Sequence, residues 1–472
     1  AIGEGSSGWI GWEADTGAAC DQRLRTHEQK NDDGAKQAHE FRPVGMDNDT
    51  TVERGRGRVK HGLLPPTDMT SGSIPPVCPR QSMPALLIHA TAHMRALRIL
   101  HHTAHPAIVA FVFALVASSG IAAKPPSSLP ANAAWQKLQT EPYKGKQDDI
   151  HFIDANRGWY VNGAGKIFVT ADGGKTWTLQ LEQPGTFFRT VGFVDAENGF
   201  AGNIGIDYFP GVTDTRPLYR TRDGGNTWKV VESLTGEQVK GLCAIDVLHS
   251  PFVNAGKLDR RVVIHAGGRV GGPATLLRSL DGGDSWKIID MTAHTAMILD
   301  VKFFDAMNGV VFGASDSDVQ KSHARIIRTQ DGGATWKIVY ESKRPFELTW
   351  KGSFPSAKIG YATIQSYDPD PASSQRYVVK TTDGGRSWKE LPLVNDAKVR
   401  EFGIGFHNDR IGWVGTSTSG FQTIDGGKTW APVELGRAVN KIRVLPTDTG
   451  FVAYAIGVEV HKLEAVLPPK KK

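Results

Sequence analysis

The sequence predicts an all-β protein: a seven-bladed β-propeller of four-stranded antiparallel blades, with the ring closed by an N-terminal strand that joins the C-terminal blade. Three observations point there. The 472-residue chain holds 53 glycines and few helix-like apolar stretches, a composition suited to many turns. An Asp-Gly-Gly turn followed by Trp recurs six times at a spacing of roughly fifty residues, the mark of a repeat architecture. Part of a further blade stands at each end of the repeat region.

In chain order, residues 1–93 come first. They show no sustained period of 2 or 3.6 and carry polar runs such as EQKNDDGAKQ. Such a segment buries too little apolar surface to offset its chain entropy. It is expected to be disordered, or to be an over-extended start with translation beginning at Met94. Residues 94–123 read as a secretory signal peptide: Arg95 and Arg98 are basic, Ala107–Ala117 is apolar, and small residues run to Ala122 and Ala123. The rival reading is a cytosolic tail with a signal anchor, but the apolar stretch is short against the about 20 residues of a membrane span. Export to the periplasm or medium is therefore expected. Cleavage near Ala122 or Ala123 would leave Cys243 as the mature chain's cysteine, in the apolar run GLCAIDVL, where a small buried hydrophobe is expected. Residues 124–132 read as a linker, 133–467 as the propeller and 468–472 as a basic tail.

Within the propeller, each repeat has the same internal order. An alternating apolar stretch runs through a turn of the DAENGF, DAMNGV or NDRIGW kind, then come a variable loop, a third strand, the Asp-Gly-Gly turn and a fourth strand. Four short strands joined by hairpins make one propeller blade. After the sixth turn, NKIRVLP, GFVAYAIG and VEVHKLEAV supply three strands. AAWQKLQT (Ala133–Thr140), with Trp135 placed like the other turn tryptophans, supplies the fourth. Joining the two pieces would remove exposed sheet edges.

The recurring stretches are TADGGKTW, TRDGGNTW, SLDGGDSW, TQDGGATW, TTDGGRSW and TIDGGKTW. They resemble the Asp-box, or BNR repeat, shared by sialidases, sortilin-type receptors and photosystem II assembly and stability factor propellers. The blade count and the DAxNG hairpins are most similar to the last group, over about Trp135 to Val466. That resemblance implies a non-catalytic scaffold that helps assemble or stabilise a membrane complex, with boxes on the outer rim. The residues support a structural role independently. Asp172, Asp223, Asp281, Asp331, Asp383 and Asp425 can accept turn N–H groups, and the glycines supply positive φ. Trp177, Trp228, Trp286, Trp336, Trp388 and Trp430 can fill the gaps between hairpins. A calcium loop would need more oxygen ligands than these turns hold.

The alternative is a sialidase-like glycoside hydrolase acting on carbohydrate. The resemblance would then imply an arginine triad, a Tyr-Glu pair and an Arg-Ile-Pro motif. The last is absent from the mature chain; Arg189 is the nearest arginine, and Glu347 and Tyr361 are singled out by no spacing. HAGGRVGGP (His265–Pro273) lacks the Gly-Lys-Ser/Thr of a phosphate loop and reads as a turn or lid. No catalytic residue, metal or cofactor is expected. The net charge of +6 is modest and dispersed, which argues against nucleic acid as a partner. A monomer that binds a protein partner is expected.

Aligning the repeats places Asp148, Asp149, Arg189, Lys240, Asp300, Glu347, Lys351, Arg400, Glu401, Asn440 and Lys441 at the starts of the inner strands, around one mouth of the axis. They form either a solvated channel mouth or a polar recognition face. The long loops Ile204–Pro217, Ala314–Ala324 and Ser366–Gln375 are further binding candidates, with Tyr208 and Phe209 as expected exposed aromatics.

Overall fold

In the repeat hairpins, one acidic or amide side chain sets the first turn of a blade. Asp154 accepts the N–H groups of Asn156 and Arg157, Asp195 those of Glu197 and Asn198, Asp305 those of Met307 and Asn308, and Asn408 those of Arg410 and Ile411. The glycine that follows has a steric cause. A Cβ on Gly199 would lie 2.5 Å from the Phe193 ring, and one on Gly412 would lie 2.4 Å from Phe406. In five blades a phenylalanine at the end of the inner strand (Phe152, Phe193, Phe303, Phe354 or Phe406) folds over that glycine and leaves no room for a side chain.

In the computed structural model these hairpins build a seven-bladed β-propeller; it describes residues 129–130, 133–236, 238–254 and 257–467. The extension, the leader, the basic tail and most of the linker lie outside the described residues. Six sheets take their four strands consecutively from the chain. Blade one, for example, is Gln147–Phe152, Gly158–Asn162, Lys166–Thr170 and Thr178–Glu182. The inner strands of blades two to seven are Phe188–Phe193, Ala244–Asn254, Met297–Phe303, Glu347–Ser353, Glu401–Phe406 and Lys441–Thr447. Each touches the next, and the first touches the last. Among the described residues no helix is long and apolar enough to cross a membrane.

The seventh sheet orders Lys441–Thr447, Gly450–Ile456, Val460–Val466 and Gln136–Lys137. The N-terminal strand is shorter than the stretch Ala133–Thr140, pairing only Gln136 with Lys462 and Lys137 with His461. Leu138 adds one more backbone bond, its N–H donating to Val460 O at 2.8 Å, and side chains anchor both flanks. Trp135 meets Trp413 edge-on at 5.6 Å, and Leu138 packs with Phe152, Tyr160 and Trp177. The segment thus touches the cores on both sides of blade seven.

Neighbouring blades interlock through stacked rings. Phe152 lies on Tyr454 at 3.9 Å, Phe193 on Trp159 at 3.5 Å, Phe303 on His265 at 3.4 Å and Phe406 on Tyr361 at 3.6 Å. Such pairs contribute about 0.5–1.5 kcal/mol each beyond the area they bury. Deleting residues 133–140 is expected to destabilise the ring by roughly 3 kcal/mol or more, because a large aromatic leaves a packed site. Denaturant unfolding of the truncated chain checks this; an unchanged midpoint contradicts it.

Candidate functional site: a filled axis and its aromatic mouth

Each Asp-Gly-Gly turn is a closed hydrogen-bond unit. In the first, Asp172 Oδ1 accepts the Thr170 hydroxyl at 2.8 Å and the Thr176 N–H at 3.0 Å, Oδ2 accepts the Thr176 hydroxyl at 2.5 Å, and Thr170 Oγ1 accepts the Gly174 N–H at 2.9 Å. Asp223, Asp281, Asp331, Asp383 and Asp425 repeat the pattern. Gly173 and Gly174 take φ of 72° and 89°, the left-handed region that glycine enters at little cost. Burial opposes ionisation of Asp281, but the Ser285 hydroxyl and N–H groups outweigh it and hold the carboxyl at about 2. Asp383 is likewise held at about 2, with Ser387 in that role. The six tryptophans are half-buried and meet phenylalanine rings edge-on, as Trp228 meets Phe193 of its inner strand at 5.9 Å and Trp286 meets Phe200 of the second blade at 5.7 Å.

The same turns join the blades. The first glycine donates its N–H to the hairpin of its own blade, as Gly173 does to Asn156 O and Gly224 to Glu197 O. Its carbonyl accepts a side chain from the blade before: Gln180 on Gly224 at 2.8 Å, Arg220 on Gly282 at 3.2 Å, Arg278 on Gly332 at 2.6 Å, Arg328 on Gly384 at 3.2 Å, Lys380 on Gly426 at 3.1 Å and Tyr454 on Gly173 at 3.2 Å. These donors belong to no recognised motif. A signal existed: Arg220, Arg278, Arg328 and Lys380 each stand immediately before the Ser/Thr that opens the turn of their own blade.

At the opposite end of the strands, β-bulges decide what lies on the axis. The pairing of inner and second strands shifts register at five blades, and the extra residues are Asp148, Arg189, Leu299, the pair Trp350 and Lys351, and the pair Phe402 and Gly403. A bulge re-aims a side chain, and here it aims them at one another. Trp350 Nε1 donates to Asn440 Oδ1 across the ring at 3.1 Å. The Arg189 guanidinium lies 5.2 Å from the Trp350 ring and pairs with Asp148, and the Phe402 ring stands 5.9 Å from Trp350. Lys351 donates to the Leu299 carbonyl at 2.6 Å.

The solvated channel mouth expected for these charges is therefore replaced by a filled axis. Asp148 is 0% exposed, Arg189 3% and Lys351 3%. Asp149, Asp300, Glu347, Glu401, Asn440 and Lys441 are buried as well, while Lys240 and Arg400 are half-buried. The cause is that each buried charge finds a partner inside. Asp149 accepts Lys441 Nζ at 3.0 Å, the Thr190 hydroxyl at 2.9 Å and Arg443 at 3.3 Å. Burial alone would raise the Asp149 carboxyl, yet Lys441 and Arg443 hold it well below the usual carboxylate range. Burial pushes the Lys351 ammonium down to about 8 and the Glu401 carboxyl up to about 8.

Tyr208 and Phe209 do not stand free in solvent as expected. Both are half-buried. Phe209 stacks on Phe187 at 4.3 Å, Tyr208 meets Phe209 edge-on at 4.6 Å, and with Val319 and Tyr367 they cover the apolar side of the axial plug. The three long loops open on this side: Ile204 donates its N–H to Phe187 O, and Tyr367 to Phe346 O, beside the inner-strand starts. The result is an aromatic mouth, with Arg400 over the Tyr367 ring at 4.4 Å, at the opposite end of the strands from the Asp-Gly-Gly turns. Among the described residues, no group of three or more His, Cys, Asp and Glu is placed to hold a metal.

A photosystem II stability/assembly factor, HCF136 (chloroplastic), of Cyanidioschyzon merolae is 25% identical over 410 residues, covering 76% of this chain and 81% of the relative. The chain is similar to the photosystem II stability/assembly factors. Two solved structures also match: YCF48 bound to D1 peptide, with TM-score 0.49 and 16% identity over 72% of this chain and all of that one, and YCF48 from Cyanidioschyzon merolae, with TM-score 0.48 and 17% identity over 70% of this chain and 99% of that one. No family model matches the chain.

Two outcomes follow from the site's electrostatics. Because Asp281 is held below its unfolded value, its contribution is present above about pH 4 and lost as pH falls through about 2; Asp281→Ala is expected to cost about 1–3 kcal/mol at pH 7 and far less at pH 2, as read by denaturant unfolding at both pH values. Glu401 titrates above its unfolded value, so it weakens the fold as pH rises from about 4.5 to about 8. Glu401→Gln is expected to stabilise by roughly 1–3 kcal/mol at pH 8 and to be neutral at pH 5; equal effects at both pH values would contradict the assignment.

Proposed function

We propose that this chain is an exported, non-catalytic propeller that binds a protein partner and assists the assembly or stability of a membrane protein complex. The observation that carries the reading is the similarity to a photosystem II stability/assembly factor across most of both chains. Geometry adds a place for the partner. The aromatic mouth sits on a plug tied by internal ion pairs, and its half-buried rings form an amphipathic surface of the kind that anchors protein contacts. The leader-like segment with Arg95, Arg98 and Ala107–Ala117 supports export.

The hydrolase reading would need arginines turned toward a substrate carboxylate. Arg189 is committed to Asp148, and Arg269 donates to main-chain oxygens of Gly272 and Ile206. That disposition favours the scaffold.

Affinity capture of the tagged chain from the cell envelope, followed by mass spectrometry, tests the proposal. It is expected to recover a membrane complex or its subunits. The double variant Tyr208→Ala with Phe209→Ala is expected to reduce that recovery at least about tenfold while keeping the strand signal in circular dichroism. Turnover of fluorogenic glycosides, or capture unchanged in the double variant, contradicts it.

A further inference from the structure

Blade three departs from the repeat at one place. In blade two the inner hairpin turns at once: Phe193 pairs with Gly199, which pairs with Thr221 at the start of the Asp-Gly-Gly turn. In blade three Val247 and Ile264 hold those positions, against Ser279, but the chain between them continues the ladder. Pairs run on from Leu248 with Val263 to Asn254 with Lys257. Among the described residues no third strand joins them past Ile264. The result is a two-stranded ribbon whose last part, Ser250–Asn254, reaches about 17 Å past its base at about 3.4 Å per residue. The base is anchored at the turn end of the ring, opposite the aromatic mouth. Gly282 donates its N–H to Val262 O at 3.1 Å, and His249 Nε2 meets Val194 O of blade two at 3.1 Å.

Two strands alone are marginally stable in water, which points to a surface that steadies these. The sequence indicates its chemistry. Alternation along the strands sets Phe252 on one face with Lys257 and Arg261, and the cross-strand pair Val253 and Leu258 on the other with Arg260. Both faces therefore combine apolar and basic residues near the tip, whereas a ribbon that packs on a protein has one apolar and one polar face. Pro251 lacks the N–H that a further strand would use, a device of edges that resist pairing. Residues 250–261 hold Lys257, Arg260 and Arg261 against one acid, Asp259. The acids of the Asp-Gly-Gly turns stand at the base, farther from the tip than the Debye length of about 8 Å, so the local positive charge decides. The ring beneath is apolar in the same sector. Leu280 is 41% exposed and Met307 48%, and the bond from Arg278 to Ala306 O at 2.9 Å sets their two turns side by side.

We propose that this ribbon docks the chain on an anionic lipid surface. Phe252, Val253 and Leu258 enter the boundary between headgroups and acyl chains, and Lys257, Arg260 and Arg261 engage the lipid phosphates. The docking does not involve Tyr208 or Phe209 and leaves the aromatic mouth, at the other end of the strands, open to a partner.

Co-sedimentation of the full chain with phosphatidylglycerol–phosphatidylcholine vesicles, beside pure phosphatidylcholine vesicles, tests this. Binding to the anionic vesicles is expected to be at least about tenfold tighter and to weaken as salt is raised. The triple variant Lys257→Glu, Arg260→Glu, Arg261→Glu is expected to lose at least about tenfold in affinity for them, and so is Phe252→Ser, Val253→Ser, Leu258→Ser. All these chains share the same residues 1–123, so the differences read the ribbon alone. Should either variant fold poorly by circular dichroism, a chain with residues 249–262 replaced by the hairpin residues Asp195–Glu197 of blade two removes the ribbon and keeps its base; the same loss is expected. Equal binding to both kinds of vesicle, binding unchanged in the variants, or no binding overturns the proposal. Ribbon variants that lose partner capture in detergent, while the parent chain ignores vesicles, assign the ribbon to a protein contact and overturn the lipid reading. Vesicle binding that depends on the ribbon, in a chain that captures no membrane complex, supports the ribbon and counts against the scaffold reading alone.

Discussion

The ring rests on one hydrogen bond, made repeatedly: a side chain of one blade donating to the first glycine carbonyl of the next blade's Asp-Gly-Gly turn. That carbonyl points outward because the glycine is in the left-handed region, and the glycine is held there because Asp and two hydroxyls tie the turn shut. The turn therefore does more than reverse the chain. It turns a backbone oxygen into an acceptor at a fixed place on each blade. Acid side chains that in isolation invite a catalytic reading are fully occupied in making that acceptor.

With the blades so fixed at one end, the other end is free to specialise. Bulges in the inner strands turn charged and aromatic residues into the lumen, and they satisfy one another there. A buried charge is tolerated only when paired, and Asp149 with Lys441, Arg443 and Thr190 meets that condition. What remains for a partner is the rim: half-buried rings at the mouth and the loops above them. Binding at such a surface draws on shape and aromatic area, on a base that cannot relax because it is already close-packed.

The blades, their strand order and their number were legible because six copies of one motif make the repeat visible without any packing argument. The burial of Asp148 and Arg189 is not legible in the repeats because bulges interrupt the strand count, while Tyr208 and Phe209 lie in a loop whose packing on Phe187 and Tyr367 is set by the fold. Repeat alignment counts residues along a strand, whereas one inserted residue reverses which face every later side chain takes. Asp148 and Arg189 sit at such insertions, and nothing in their neighbours' identity announces a bulge. The N-terminal strand is shorter than expected because its ladder ends at Leu138, whose N–H meets Val460 O, while Trp135 and Leu138 are anchored by their side chains in two different cores.

Blade seven is assembled from both ends of the repeat region, so its third and fourth strands are not joined by a turn, and it offers no Asp-Gly-Gly carbonyl. Blade six accordingly has nothing of that kind to grip: its Gln422, at the position of Arg220 and Arg278, accepts a hydrogen bond from Trp413 within its own blade. The boundary is held by rings instead, with His407 on Phe451 at 4.0 Å and Trp135 against Trp413. The circle thus has one seam of different make: at the turn end it is sewn by rings, and at the mouth end by main-chain bonds such as Gly403 N–H to Val439 O and Val439 N–H to Thr416 O.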